Sequence, residues 1–243
     1  MLDVHAPHSP THTWKDFFLH IATITVGLLI AVGLEQAVEL FHHRHQREQL
    51  IEDLNREAEV RIPRIHENFK IFMVDIAWYE EILKAGRAAK PQPGVQNGVL
   101  TFVVPPRATT RPRIRPADSV LPSAKASGLV TVLPQSEIEV WSRVDQVGQL
   151  TLELGRLTDR SGNELRAITD RLGVELVPGA TLRLAPVDCA ELLRAIATLR
   201  ANYAAFASND AIWAGASNAA LHGARTAEAL QPYEAQAQID MRR

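Results

Sequence analysis

Residues 14–41 read WKDFFLHIATITVGLLIAVGLEQAVELF, and this stretch decides the architecture. The 18 residues from Phe17 to Leu34 contain no Asp, Glu, Lys or Arg. At ~1.5 Å rise per helical residue they extend about 27 Å, close to the ~30 Å hydrocarbon core of a bilayer. One transmembrane helix is therefore expected over 17–41 with its interfacial extension, behind a tail of residues 1–16. Trp14 stands at one edge, where an amphipathic ring favours the interface, and Phe41 follows a turn or two beyond the other edge. Thr23 and Thr25 can return their hydroxyls to the helix backbone. Gly27 and Gly33 would let a neighbouring helix approach, although they do not form a strict GxxxG pair.

The run admits two rival readings. A buried core helix would have to be apolar all round in a chain whose other helices are amphipathic. A cleaved signal peptide is suggested by Ala31-Val32-Gly33, a small-x-small pattern after an apolar stretch. Against cleavage, the preceding segment carries only Lys15 as a basic residue, and the helical pattern runs on into Leu34–Leu40. On the positive-inside rule, Arg44 and Arg47 against Lys15 place the large C-terminal domain in the cytoplasm.

Beyond the run, residues 42–243 read as one helical extramembrane domain, since one domain of this size is the usual expectation. Ala58, Ile62, Ile65, Phe69, Phe72, Ile76, Tyr79 and Leu83 alternate in steps of four and three, the seam of a long helix packed on another. Pro63 inside the seam predicts a kink, Gly86 a C-cap, and Pro91-Gln92-Pro93-Gly94 a stop. A Pro- and Arg-rich extended loop over 90–122 is inserted next, in which Val99–Val104 has the β-branched character of a short strand. Its Arg111, Arg113 and Arg115 lack aromatic interleaving and read as a solvated loop rather than a phosphate or lipid site.

Pro134 marks the start of a second long helix from Ser136, with Val140, Val144, Val147, Leu150, Leu154 and Leu157 on one face. Ser161-Gly162-Asn163 is expected to break it, and a shorter helix then runs to Gly173. Val177-Pro178-Gly179 and Leu184-Ala185-Pro186 bracket a loop. Asp188 then caps a last long helix through Leu192, Ile196, Leu199, Tyr203, Phe206 and Trp213. The Ala-rich tail after Leu221 is helical. The fold class is mostly α: a transmembrane helix continuing into a long helix, packed in a helical bundle with the extended loop.

The chain carries 26 basic and 28 acidic residues, a formal net charge of -2, which argues against a nucleic-acid partner. Its one cysteine, Cys189, reads as a buried structural thiol. Eight of the 9 histidines fall in the first 66 residues. His5, His8 and His12 precede the apolar run, and His42, His43 and His45 follow it. His42 and His45 share a helix face and are the candidate metal ligands, with Glu39 or His43 as a strained or intermolecular third; a polar interfacial collar is the simpler reading. His20, one turn inside the run, is the candidate cofactor-binding position, because an ionisable group there needs a partner unless it reaches the headgroups. Glu35 and Glu39 share a face and read as solvated carboxylates. There is no HExxH, P-loop, Ser-His-Asp context or glycine-rich dinucleotide turn, so no catalysis and no cofactor are expected.

His12–Phe18 running into Val26–Gln36, and Ala124-Lys125-Ala126-Ser127-Gly128-Leu129-Val130-Thr131-Val132-Leu133-Pro134, resemble segments of a family of uncharacterised bacterial single-span membrane proteins, with Ser123 where those proteins often have a tryptophan. The resemblance implies a bacterial membrane anchor and a helical domain, and implies no activity. The expectation is a single-pass protein of the bacterial cell membrane whose partners are the lipid bilayer and a second copy or another membrane protein. It would act as a scaffold or accessory subunit. The alternative is a sensor of pH, metal or lipid headgroups working through the juxtamembrane histidines.

Overall fold

A computed structural model describes residues 14–91, 98–108 and 118–240. His5, His8, His12, Arg111, Arg113 and Arg115 lie outside them. Helix α1 covers Trp14–Arg87, followed by strands β1 (Lys90–Pro91) and β2 (Leu100–Val103) and helix α2 (Val120–Ala126). A 3-10 turn at Leu129–Val132 leads into α3 (Gln135–Leu172), then β3 (Thr181–Leu184) and α4 (Pro186–Leu221). A second 3-10 turn, Glu228–Leu230, precedes α5 (Gln231–Asp240). The chain divides into two compact units, residues 1–49 and 50–243.

In the first unit every residue from Trp14 to Gln36 is exposed, and α1 is long and apolar enough to cross a membrane. Trp14, Phe17 and Phe18 form an aromatic group with ring centroids 5.8–6.1 Å apart. Thr23 Oγ1 donates to the Leu19 carbonyl at 2.8 Å, as expected of a hydroxyl with no other partner along an apolar helix.

The second unit is a helical bundle with a small sheet. Its α1 portion buries a face wider than the four-three seam alone. Ala58, Ile65, Phe69, Phe72 and Leu83 are buried, and so are Glu57, Arg61, Asn68 and Asp75 on an adjoining row. Pro63 lies inside the helix on an exposed position, where water can serve the carbonyl its ring leaves without a donor. One apolar cluster joins Phe72, Ile82 and Leu83 of α1 to Leu192, Ile196 and Leu199 of α4. Within it Phe72 meets Phe206 edge-on at 4.8 Å and Tyr203 at 5.8 Å, contacts worth about 0.5–1.5 kcal/mol each beyond their burial. A second cluster joins Leu50, Leu54 and Ile65 to Leu121 of α2, Trp141 and Val144 of α3 and Trp213 of α4.

The sheet has the order β1-β2-β3, with β2 antiparallel to both neighbours and Phe102 opposite Leu182. β2 meets the expectation for Val99–Val104, whereas β3 lies where a loop is expected. Thr181–Leu184 alternates exposed and buried, with Leu182 and Leu184 in the core, so period two rather than length identifies it.

Several helix boundaries also differ from expectation. Gly86 is no cap: it lies within α1, and a Cβ there would come 2.5 Å from Leu193 Cδ2. Pro122 sits in the first turn of α2, where its missing N–H costs nothing, so helix begins at Val120 inside the extended segment. α3 does not break at Ser161-Gly162-Asn163; it continues to Leu172 and ends on Gly173 at φ 62°. Asp188 lies in the first turn of α4 but is not its cap, because Pro186 starts the helix after Ala185, with φ already suited to it.

The buried face of α3 shifts as well. Val140, Val144 and Val147 point inward, but Leu150 is 52% exposed and Leu157 36%. Gly148, Thr151, Thr158 and Ser161 are buried instead. The reason is steric: a Cβ on Gly148 would lie 2.8 Å from Trp213 Cζ2, and one on Gly155 3.3 Å from Phe206 Cε2, so the bulk is supplied by α4. Polar contacts link the two helices. Asn209 Nδ2 donates to Thr151 Oγ1 at 2.7 Å and to the Val147 carbonyl at 3.1 Å, and Asn202 Nδ2 donates to Ser161 Oγ at 2.6 Å.

Candidate functional site

Within the first unit, the candidates from the sequence lie on one helix. His20, Glu35, Glu39, His42, His43 and His45 are all exposed on α1. The Gln46 amide nitrogen is 2.9 Å from His42 Nε2; an amide nitrogen can only donate, so the His42 ring accepts through that atom. Arg44 pairs with Glu48 at 3.0 Å, one turn on. Among the described residues no group of three or more His, Cys, Asp or Glu side chains is placed to hold a metal. Among the described residues His42 and His45 are thus not joined by a third ligand, and His20 is exposed on the helix one turn after Asp16. What dominates this unit is the unbroken exposed apolar surface, with Leu28 and Leu29 each 64% exposed and Gly27 and Gly33 touching nothing. Such a surface far exceeds what a monomer in water leaves uncovered.

In the second unit, an ionic centre that periodicity does not reveal is buried between α1, α2 and α4. Arg61 Nη1 donates to Ser217 Oγ at 3.1 Å, and Nη2 donates to Glu57 Oε2 at 3.2 Å and lies 3.7 Å from Asp118. The guanidinium sits 4.7 Å from the centre of the Trp213 ring. Burial pushes the Arg61 pKa down, opposed by the charges of Asp118, Glu57 and Asp145. Glu57 completes the arrangement by accepting from the Ser119 N–H at 2.7 Å and from the Val120 N–H at 3.3 Å, at the first turn of α2. A carboxylate there satisfies donors that the short helix cannot satisfy itself and complements its dipole.

A second set of contacts holds the middle of the extended segment. Arg107 Nη2 pairs with the buried Asp75 at 2.5 Å and lies 5.0 Å from the centre of the Trp78 ring, whose Nε1 donates to the Pro105 carbonyl at 3.0 Å. Both sets of contacts tie the extended segment to the helices. In the sequence Glu57, Arg61, Asn68 and Asp75 recur in steps of four and seven beside the apolar seam, a spacing that by itself does not separate a buried row from a solvated one.

Cys189 is buried, and burial pushes its thiol above its ordinary value. Iodoacetamide should therefore leave it unmodified in the folded chain near neutral pH and alkylate it promptly in denaturant, followed by intact mass. Rapid alkylation of the native protein would contradict the packing of α4 at this position. Comparison of the chain with protein-family models, with curated proteins and with solved structures finds no match.

Proposed function

We propose that the chain is a single-pass, membrane-anchored scaffold or accessory subunit of the bacterial cell membrane, and that its helical unit works through helix contacts rather than catalysis. The observation that carries this reading is the exposure of every residue from Trp14 to Gln36, a stretch that contains the uncharged helical run of bilayer length from Phe17 to Leu34. Burial of that surface in lipid would supply the driving force that water denies it. Arg44 and Arg47 favour a cytoplasmic helical unit. The partner is a second copy or another membrane protein.

Carbonate washing of membranes from cells expressing the full chain, with the intact mass of the retained protein, tests the anchor. Retention of the uncleaved chain is expected, and release after deletion of residues 14–41. Recovery of a soluble species cut after Gly33 would identify a signal sequence and overturn the anchor. Crosslinking in detergent extracts tests the scaffold reading, with an oligomer or a stable partner expected; a strictly monomeric, partnerless chain would overturn it.

A further inference from the structure

A groove of about 580 Å³ opens in the second unit along α3, beside Tyr79 of α1 and Tyr203 of α4, a volume in the range that small ligands occupy. Leu165, Leu199 and Tyr203 are buried along its floor, while α3 lines it with Asp159, Gly162, Asn163 and Arg166. Glycine inside a helix is destabilising relative to alanine and needs a reason. Among the described residues, Gly86, Gly148, Gly155 and Gly215 have one, since a Cβ at each would press on a neighbouring chain segment. Gly162 does not: a Cβ there would meet nothing within 4 Å, and the space it leaves empty is the groove itself.

The charges around that space are ordered. Asp159, Asn163 and Arg166 fall at i, i+4 and i+7 on one face, and neither charged group is in an ion pair or hydrogen bond among the described residues. Their backbone positions are separated by about 10.5 Å along the helix, at ~1.5 Å per residue. Three extended residues at ~3.4 Å each span about 10 Å, which matches that backbone separation.

We propose that this groove binds a short zwitterionic peptide of about three residues with an apolar central side chain. Its ammonium pairs with Asp159, its carboxylate takes both guanidinium N–H groups of Arg166, and the Asn163 amide bonds the peptide backbone between them. The apolar side chain lies over Leu165 and Leu199. The proposal does not depend on the membrane anchor.

Calorimetric titration of the full chain in detergent with Gly-Leu-Gly tests it. Saturable binding is expected, weakened at least about tenfold for the N-acetylated, C-amidated peptide and for free leucine, and to the same degree by Arg166→Gln. Gly162→Leu should abolish binding with helicity retained, and Gly162→Ala should raise the melting midpoint by about 2–4 °C. The proposal is overturned by absence of saturable binding, by blocked peptide binding as well as the free one, or by indifference to Arg166→Gln. A lowered midpoint for Gly162→Ala would also overturn it, because the glycine would then be a packing requirement. Arg166 is an exposed rim residue, so its variant decides the matter even if Gly162→Leu does not fold.

Discussion

Arg61→Ala is expected to destabilise the helical unit by about 3–5 kcal/mol, because removing one partner from a buried ionic group leaves the others without compensation. The Arg61 side chain is 3% exposed, Glu57 6% and Asp118 10%, so water cannot take over the role of the guanidinium. The substitution strands two carboxylates beneath α2, removes the donor to Ser217 and opens space against the face of Trp213. Urea unfolding of the detergent-solubilised chain, followed by far-UV circular dichroism, gives the loss directly. Neutralising the whole centre, as Arg61→Met with Glu57→Gln and Asp118→Asn, should cost less than Arg61→Ala alone, since no buried charge is then left unpaired. A single-variant loss below about 1 kcal/mol, or a triple variant worse than the single, would show that the centre is hydrated and contributes little.

The same centre shows what the sequence could and could not reveal. The apolar run, the long helices and their four-three spacing depend on neighbours within a turn or two, so a local reading finds them. Val99–Val104 was legible for the same reason. Glu57 and Arg61 look like a surface i, i+4 pair in sequence; only Ser217, 156 residues from Arg61, and Ser119, 62 residues from Glu57, make them a buried centre. The glycines mislead in a parallel way. Local rules assign glycine to helix ends, which is why Gly86 read as a cap and Gly162 as a break. The contacts that explain the pressed helical glycines come from other elements, and the emptiness beside Gly162 is likewise a tertiary fact. Exposure of Leu150 and Leu157 follows from Trp213 and Phe206 occupying the space that a leucine face on α3 would have filled.

Gly215→Val should be the other severe substitution, with a loss of about 2–4 kcal/mol and release of α5 from the bundle. α4 is buried from Asn209 to Ala219 at nearly every position, and at Gly215 the neighbour is backbone rather than side chain. A Cβ there would lie 2.5 Å from the Tyr233 carbonyl oxygen and 2.8 Å from Glu234 Cα. A side chain can rotate away from such an overlap, but a helical backbone can only translate. Moving α5 outward would break the pair of Arg143 Nε with Glu234 at 3.2 Å, the bond from Gln238 Nε2 to Ser208 Oγ at 3.2 Å and the stacking of Tyr233 on His222. The undocked helix should then be cut at Glu234 by a glutamyl endopeptidase under conditions where the parent resists. Gly86→Ala provides the contrast: its Cβ meets only the flexible end of Leu193, so a much smaller loss is expected, partly offset by the better helix propensity of alanine. Equal losses at the two positions would mean that α5 is held loosely enough to yield, and the close approach at Gly215 would then carry no constraint on the fold.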